Sequence, residues 1–582
     1  MRTVFIHGEQ ERFDEACAEL IDRFTSRHPE LDSAELIELL LDDKFLSDGM
    51  LAHWCEEDLV RALTEVVPRR AVLTESWSVA PDLLHRWLDF LAEERLLTST
   101  DSVQALHEVI DEATPAHLTA MADPGEWSSE KFWTTTMREL GVDDSDDAAV
   151  EAFHDAVDAG ELDVDQDTAD EITAREASEP EPQPRLWLSP VELPEVEPHR
   201  AIAAQAPIIQ RIRTVVEQAD EGADKLAAAL GGDTGTAELL LEWAQRAGLL
   251  RVTGGQLVPT LIATPLLDEP EVLWTKLWQS FVLLDDVFRE GLDAITGDAD
   301  DDEDKLPELV QSALSVLYAA GEPVALEVVA ATAADVLDAE DPQPVQDLLV
   351  RIFEQWESME ALRTRPATEE ERGELPFETF VELLPAGAWA ARESLRAFGF
   401  RVPTTDALRL APAELVVLLF ADASPQVQQS LVANWVEHRG AKQAAEELTA
   451  LLELVDDPVV RLPALALLET TGDEGVAAAR AVIDDPVCGA AVRMWLQAAT
   501  EEPVAREGDQ LLFSADAMAV ALETDVELFV GDFAELPSDE QLRLVGELAG
   551  SGHSHAEALL AALAEHHEDE EVSAAARNSG DA

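Results

Sequence analysis

The stretch AELLLEWAQRAGLLRVTGGQLVPT, residues 237–260, decides how the middle of this 582-residue chain folds. Apolar side chains recur every three or four residues from Leu239 onward, which predicts an amphipathic helix. Gly248 is placed to end that helix, and the short apolar runs around Gly254-Gly255 predict a β-hairpin. Two further helices are predicted immediately before it, so the order of elements is that of a winged helix-turn-helix module.

Helical patterns dominate the rest of the chain, and the predicted fold class is mainly α and multidomain, with short β-hairpins as wings. The expected segments are an N-terminal helical segment (1–48), a helical domain (49–160), an acidic Pro-rich linker (161–199), a winged-helix-like domain (200–295), an acidic loop (296–305), a second winged-helix-like unit (306–412) and HEAT-like helical repeats (413–582). The second unit has a possible wing at 400–412. The repeats are inferred from Pro425, Pro458 and Pro486, each of which precedes an amphipathic helix.

The charge of the chain restricts its partners. It carries 121 acidic and 39 basic residues, a formal net charge of −82. Such a charge disfavours nucleic acids and anionic membranes. The basic residues include only six lysines. The acid-rich, Lys-poor composition resembles that of proteins from salt-accumulating organisms and favours a salt-rich cytoplasm. A GC-rich genome would explain the missing lysines but not the excess acid.

The N-terminal sequence and the cysteines indicate a cytoplasmic protein. The start, MRTVFIHGEQERFDE, lacks the apolar core of a signal peptide, and no stretch has the length of uncharged apolar sequence that a membrane helix needs. The three cysteines, Cys17, Cys55 and Cys488, lie far apart, which favours buried free thiols over a disulfide framework or a zinc site.

Three motifs resemble known sites without meeting their requirements. GGDTGT at 231–236 lacks the lysine of a phosphate-binding loop, and we interpret it as a helix end followed by the N-cap Thr236 of the next helix. His107 to Asp111 resembles HExxH but ends in aspartate and lacks a third zinc ligand. Asp163 to Asp170 lacks the glycine and the final glutamate of a calcium loop.

Four C-terminal histidines also fail to form a predicted metal site. The helix between the pairs His553/His555 and His566/His567 holds them roughly 15 Å apart. We therefore predict no catalytic residue, no cofactor and no metal, although an enzyme with a site assembled across domains stays open.

The outward face of the helix at 237–247 argues against DNA. It presents Glu238, Glu242, Gln245 and Arg246, and carboxylates facing a groove lined by phosphates oppose binding. These four residues are instead a possible face for a protein partner.

Four arginines between 385 and 412 form the more basic candidate surface. Arg392, Arg396, Arg401 and Arg409 stand against only Glu393 and Asp406 in this segment. They are possible contacts for nucleic acid or for a protein partner. Alternatively, they pair with acidic residues of neighbouring domains.

The order of several segments resembles a known group of proteins. The segments are WCEEDLVRALTEVVPRR, LLHRWLDFLAEERLL, AMADPGEWSSEKFW, LLEWAQRAGLLRVTGGQLVPT, LPELVQSALSVLYAAG and DDPVVRLPALALLE with DDPVCGAAVRMWL. Together they look like large, uncharacterised, mainly actinobacterial helical proteins, some of them associated with the plasmid pRiA4b ORF-3 type. The resemblance covers most of residues 50–580 and implies winged-helix-like and HEAT-like parts, without an activity to carry over.

Three functional hypotheses follow from these observations. The leading one is a cytoplasmic, non-enzymatic helical scaffold or adaptor that binds protein partners. The second is a nucleic-acid-associated transcriptional regulator that uses the winged units. The third is an enzyme whose site is assembled across domains.

Overall fold

A computed structural model defines the fold of most of the chain. It describes residues 1–582 except 7–8, 30–33, 73–76, 145, 160, 163, 179–184, 194–203, 220–222, 233, 255, 297–304, 340, 369–376, 422 and 581–582. The described residues are mostly α-helical and contain one two-stranded and one three-stranded antiparallel sheet. The mainly α, multidomain fold class is confirmed.

The chain divides into two compact units. Unit 1 comprises Met1–Leu186, Arg409–Ala421 and Trp435–Ala582, and unit 2 comprises Trp187–Leu408 and Asp422–Asn434. None of the described helices is both long and apolar enough to cross a membrane.

The first part of unit 1 is built from amphipathic helices around a core that includes Phe24, Trp87 and Phe90. The helices are α1 (Gln10–Arg27), α2 (Ala34–Ser47), α3 (Glu56–Arg61), α4 (Val67–Arg70), α5 (Val79–Glu93), α6 (Val103–Met121), α7 (Ser129–Glu139), α8 (Asp147–Asp158) and α9 (Gln166–Ser178). A π-helical turn, Ala62–Val66, joins α3 to α4.

Helix α9 lies within the segment predicted as an acidic linker. Its buried Ala169 and Ile172 are three residues apart and pack against Phe132 of α7. The many acidic residues of the segment make this apolar face difficult to recognise in the sequence.

Asp165, which belongs to the calcium-loop look-alike, accepts a hydrogen bond from the backbone N–H of Thr168 at 3.2 Å, whereas Asp163 lies outside the described residues.

His117 of α6 is fully buried in unit 1 beside two backbone carbonyls. Its Nδ1 lies 2.8 Å from the carbonyl oxygen of Leu63 in the π-helical turn, and its Nε2 lies 2.8 Å from that of Trp77. Each of these oxygens can accept a hydrogen bond from the imidazole ring. The side chain therefore links α6 to two neighbouring segments.

Replacing His117 with leucine is expected to lower the free energy of unfolding by about 2 to 4 kcal/mol, because buried carbonyls lose a polar neighbour that leucine cannot replace. Chemical denaturation followed by circular dichroism measures the change. The exposed His438 is the control position, and His438→Leu should have little effect. Equal stability of the two variants would contradict a structural role for His117.

Unit 2 contains the five strands and the helices that surround them. They are α10 (Pro207–Glu217), α11 (Ala223–Leu230), α12 (Thr234–Arg246), β1 (Leu250–Thr253), β2 (Gln256–Pro259), α13 (Ala263–Asp268), α14 (Pro270–Ser280), α15 (Asp285–Thr296), α16 (Lys305–Ala320), β3 (Val324–Ala325), α17 (Leu326–Val336), α18 (Pro342–Ser358), β4 (Leu362–Pro366), β5 (Thr379–Leu383) and α19 (Pro385–Ala397). Short 3-10 helices occur at Pro124–Glu126, Phe281–Leu283 and Ala407–Leu410.

The stretch 237–260 folds as the predicted helix followed by a β-hairpin. Strands β1 and β2 pair antiparallel, from Leu250 opposite Pro259 to Thr253 opposite Gln256. Gly248 and Gly254 have φ angles of +76° and +60°, which glycine adopts without strain. One detail is wrong: α12 begins at Thr234, so Thr236 lies inside the helix and is not its N-cap.

The wing predicted at 400–412 is also wrong. Arg401 and Thr404 form isolated parallel bridges with Trp187 and Val191, and Ala407–Leu410 is a 3-10 helix, so this segment makes no hairpin. The sheet of this region comes from earlier residues and has the order β3-β5-β4, with β4 and β5 antiparallel from Leu362 opposite Leu383. Pro403 and Pro412 of the segment have no backbone N–H group, which a residue needs in order to donate a hydrogen bond to a neighbouring strand.

The last part of the chain consists of short, successive helices. They are α20 (Ala413–Ala421), α21 (Pro425–Leu431), α22 (Glu437–Arg439), α23 (Ala441–Leu454), α24 (Pro458–Glu469), α25 (Asp473–Ala481), α26 (Gly489–Thr500), α27 (Asp509–Thr524), α28 (Val526–Ala534), α29 (Ser538–Ala549), α30 (Ala556–His566) and α31 (Glu570–Gly580), with a π-helical turn at Val432–Val436. Pro425 and Pro458 are the first residues of their helices, as predicted, whereas Pro486 lies in a turn before α26, which begins at Gly489.

Helix α20 holds the N-terminus of the chain within unit 1. The buried Glu414 accepts hydrogen bonds from the backbone N–H groups of Thr3 and Val4 and from the Thr3 hydroxyl, at 2.7 to 3.1 Å. Burial raises the pKa of Glu414 above its ordinary value, although these donors oppose that shift. These hydrogen bonds therefore join the first residues of unit 1 to a helix about 411 residues later in the sequence.

Candidate functional site: an aromatic pocket in unit 2

A cavity of about 760 Å³ opens on the surface of unit 2. Its walls are α14, α19, the 3-10 turn Phe281–Leu283 and parts of α16 and α18. Its volume falls within the range typical of ligand-binding pockets. The lining includes six large aromatic side chains, Trp274, Trp278, Phe281, Trp356, Trp389 and Phe398. We call this cavity the aromatic pocket.

The tryptophans of the pocket pack against one another. Trp274 and Trp278 are four residues apart on α14, so they share a helix face, and their rings stack with centroids 5.6 Å apart and planes at 7°. The ring of Trp356, which comes from α18, lies 5.2 Å from Trp278 and 5.8 Å from Phe281. These contacts hold the three indole rings and Phe281 against one another in the wall of the cavity.

The indole N–H groups of Trp274, Trp278 and Trp356 differ in their hydrogen-bond partners. Trp274 donates from Nε1 to the carbonyl oxygen of Met359 at 2.7 Å, and Trp278 donates from Nε1 to the Ser394 hydroxyl oxygen at 2.8 Å. The buried Nε1 of Trp356 has no hydrogen-bond partner among the described residues. The indole of Trp356 therefore keeps an unpaired N–H group that is buried beside the pocket.

The position of the α19 wall is set by a close approach to β4. A Cβ atom on Gly387 would lie 1.8 Å from the carbonyl oxygen of Ala361, far inside van der Waals distance. Glycine at this position lets the first turn of α19 pack on the backbone that leads into β4. The pocket face of the helix, including Ala390 and Ser394, follows from that placement.

Two of the four predicted arginines lie beside the pocket. Arg392 donates to the carbonyl oxygen of Val402 at 3.2 Å and lies 3.1 Å from the carboxylate of Glu393, which lines the cavity. Arg396 lies 3.4 Å from the same carboxylate and is about half exposed. Their helix was singled out by its charge, whereas its apolar face forms the cavity.

The other two predicted arginines are placed differently. Arg401 lies in the extended segment that pairs with Trp187, and Arg409 begins the part of the chain that returns to unit 1. The four side chains therefore do not form a continuous basic surface within one unit.

The predicted partner face on α12 consists of charges that pair with each other. Arg246 contacts Glu242 at 2.7 Å and Asp286 of α15 at 3.1 Å. Gln245 donates to Glu242 at 3.2 Å, and Glu238 is exposed one turn earlier. Because Glu242 and Arg246 neutralise each other, this face presents little net charge.

The histidines of these motifs lie beside carboxylates of neighbouring residues. His107 lies 3.3 Å from Asp89, and Asp111, the last residue of the HExxH look-alike, lies 3.2 Å from His85. In the C-terminal region His553 contacts Asp516 at 3.0 Å. These contacts occupy side chains that resemble metal ligands in the sequence.

One group of possible metal ligands does come together in unit 1. Asp457, Glu523 and His555 have ligand atoms within 4.8 Å of one another. The guanidinium of Arg12 contacts Glu523 at 2.5 Å, and that of Arg2 lies 3.5 Å from Asp457. A divalent cation would have to compete with these two positive groups. The cluster was not predicted because its members are separated by dozens of residues in sequence.

No protein-family model, curated protein or solved structure matches this chain. The case for a function therefore comes from the chemistry of the pocket and from the distribution of charge.

Proposed function

We propose that this chain is a cytoplasmic, non-enzymatic helical scaffold that binds protein partners and that the aromatic pocket is the point where a partner inserts an apolar side chain. The observation that carries the proposal is the set of six aromatic side chains around one open cavity. Pockets of this kind, bordered by arginine, contribute much of the binding energy at protein interfaces.

The exposure of apolar groups around the cavity supports this role. Val272 of α14 is 48% exposed at the pocket, and Leu283 nearby in the chain is 49% exposed. Burying such surface against a partner is favourable at roughly 25 cal/mol per Å².

The order of helices and hairpin in 207–259 supports the winged-helix-like interpretation, and the helix pairs after 413 support the HEAT-like one. Both architectures commonly present surfaces to other macromolecules.

Closing the pocket mouth tests the proposal. Ala397 is exposed and lines the cavity, so Ala397→Trp covers part of the opening without repacking the core. We expect it to abolish capture of partners from native lysate in an affinity experiment with cross-linking. Ala331→Trp is the matched control, since Ala331 is an exposed alanine on α17 of the same unit and does not line the cavity. Unchanged capture by Ala397→Trp would contradict the proposal.

A nucleic-acid-associated regulator is the second candidate, favoured by the half-exposed Arg396. Electrophoretic mobility shift at low and high salt distinguishes it from the scaffold. Robust DNA binding that weakens steeply with salt and is lost in Arg396→Ala would favour the regulator over the scaffold.

A further inference from the structure

Two histidines and two aspartates lie together where helices α5 and α6 of unit 1 pack against each other. Asp89 follows His85 by one turn on α5, and Asp111 follows His107 by one turn on α6. Nε2 of His85 lies 3.2 Å from the carboxylate of Asp111. Nε2 of His107 lies 3.3 Å from that of Asp89, and the two imidazole rings are in contact with centroids 4.7 Å apart. We call these four residues the histidine–aspartate cluster.

Buried aliphatic residues hold the backbone positions of this cluster. Each of its four members directly follows a fully buried aliphatic side chain on the same helix; these are Leu84, Leu88, Leu106 and Ile110. The next position on a helix is turned by about 100°, so each polar side chain lies at the edge of the buried face. Both histidines are about one quarter exposed, and Asp89 and Asp111 are 57% and 76% exposed. The packed helices thus place the four side chains, and an ion can reach them from solvent.

The distances in the cluster suit a tetrahedral zinc ion. Two ligands that each lie roughly 2.0 to 2.2 Å from one such ion are about 3.4 Å apart. The two nitrogen–oxygen separations of 3.2 and 3.3 Å are close to this value. Two imidazoles on one tetrahedral ion have ring centres about 5 Å apart, close to the 4.7 Å observed. The two histidine–aspartate pairs lie side by side, and rotation of the exposed aspartate side chains brings all four ligand atoms around one ion.

Charge and hydrogen bonding favour a cation at this cluster. Neither Asp89 nor Asp111 pairs with an arginine or lysine among the described residues. In the group of possible ligands around His555, by contrast, two arginines contact the carboxylates. Nε2 of His107 is buried and makes no hydrogen bond within the described part of the chain. A divalent ion neutralises both carboxylates and accepts the electron pair of this nitrogen.

The ligand atoms of the cluster select the kind of ion. Mg²⁺ and Ca²⁺ prefer oxygen ligands throughout, and Cu⁺ prefers sulfur, whereas a set of two imidazoles and two carboxylates suits Zn²⁺. We propose that His85, His107, Asp89 and Asp111 bind one Zn²⁺ ion, which links α5 to α6. The motif at 107–111 lacks a third zinc ligand in its own helix, and α5 supplies that ligand and a fourth. The site lies in unit 1 and does not depend on the function proposed for the aromatic pocket of unit 2.

Zinc titration of the metal-free full chain tests the proposal. Isothermal titration is carried out in excess Mg²⁺, which occupies exposed carboxylates but competes poorly for imidazole. We expect one tight Zn²⁺ site per chain. His85→Gln and His107→Gln should each weaken it by at least about 10-fold, because even residues that only support a metal ligand contribute roughly 10- to 100-fold. Asp89→Asn, at a position more than half exposed, should also weaken binding without disturbing the core.

Two other histidines of unit 1 provide matched controls. His438 is exposed, and His555 belongs to the other group of possible ligands. His438→Gln and His555→Gln should bind Zn²⁺ as the parent chain does. Urea denaturation gives a second readout, because an ion that binds only the folded state stabilises it. Zn²⁺ should raise the denaturation midpoint of the parent chain and of both controls, but not that of His85→Gln.

The possible results lead to different conclusions. Binding that is weakened in the cluster variants and kept in both controls supports the proposal. Absence of a tight Zn²⁺ site in the parent chain overturns it and leaves two histidine–carboxylate contacts between the helices. Tight binding that survives in both His85→Gln and His107→Gln, or that is lost in His555→Gln instead, places the ion elsewhere and also overturns the proposal.

Discussion

Replacing Asp516 with alanine should lower the free energy of unfolding of unit 1 by about 3 to 5 kcal/mol, because it leaves a buried guanidinium without its partner. Asp516 of α27 accepts from Arg461 of α24 and contacts His553 Nε2 at 3.0 Å. The side chains of Asp516 and Arg461 are 3% and 4% exposed. Among the described residues, Asp456, which is half exposed, is then the one carboxylate left beside Arg461.

The geometry of His553 adds to this cost. The backbone N–H of His555 donates to His553 Nδ1 at 3.1 Å, so Nε2 carries the proton and donates to Asp516. The alanine variant therefore loses the acceptor of two buried donors in a single substitution. Urea denaturation followed by circular dichroism measures the effect.

An exposed pair provides the control for Asp516. Glu502 and Arg480 lie 2.9 Å apart, with about half of each side chain exposed. Glu502→Ala should change stability by less than about 1 kcal/mol, because solvent screens such pairs. Similar losses in the two variants would mean that burial does not determine the contribution of these ion pairs.

Replacing Lys44 with methionine should also destabilise unit 1 by about 3 to 5 kcal/mol at neutral pH. The Lys44 ammonium is 1% exposed and lies 2.7 Å from Asp48 and 3.1 Å from Asp58. Methionine preserves most of the volume, so the loss reports the two carboxylates left without a cation. Lys442→Met is the control, since Lys442 is 74% exposed and its nearest carboxylate oxygen, on Glu446, is 3.7 Å away.

The Lys44→Met effect should depend on pH. Burial alone would raise the pKa of Asp58, but the Lys44 ammonium, together with hydrogen bonds from Cys55, outweighs burial and lowers that pKa below the ordinary value. A lowered folded-state pKa means that the stabilising contribution is present above the unfolded-state pKa, about 3.9, and is lost as pH falls through the folded-state value. Without Lys44 the part of that contribution that the ammonium supplies is absent at every pH.

The stability difference between the parent protein and Lys44→Met should therefore shrink on acidification from pH 7 toward about pH 4 and below. Denaturation midpoints at several pH values measure it. A difference that stays constant over this range would show that Asp58 does not depend on Lys44 for its ionisation.

Local sequence patterns predicted the helices and the hairpin better than they predicted the aromatic pocket. The period of apolar residues and the positions of Gly248 and Gly254 predicted α12 and the hairpin, since these features depend only on neighbours in sequence. The spacing of Trp274 and Trp278 likewise places both rings on one helix face. The pocket itself nevertheless does not follow from this spacing.

The pocket depends on packing between distant segments. Trp356 and Ser394 reach Trp278 from helices that begin dozens of residues later in the chain, and no local pattern specifies that meeting. The arginines of α19 singled out this helix through their charge, whereas the pocket is lined mainly by its small and aromatic residues. The wing predicted at 400–412 was wrong because the paired strands β4 and β5 of this region lie earlier in the chain, at 362–366 and 379–383.

The burial of two lysines restricts how partners of this protein can be trapped chemically. Lys44 and Lys131 are 1% and 3% exposed, so four of the six amines remain for reagents, on a chain of 582 residues. Burial also lowers the pKa of Lys131 to about 8. Amine-directed cross-linkers will sample few positions on this surface, and none of the lysines lines the aromatic pocket. Reagents that activate carboxylates, which are abundant and include Glu271 and Glu393 at the pocket, are the appropriate chemistry for covalent capture.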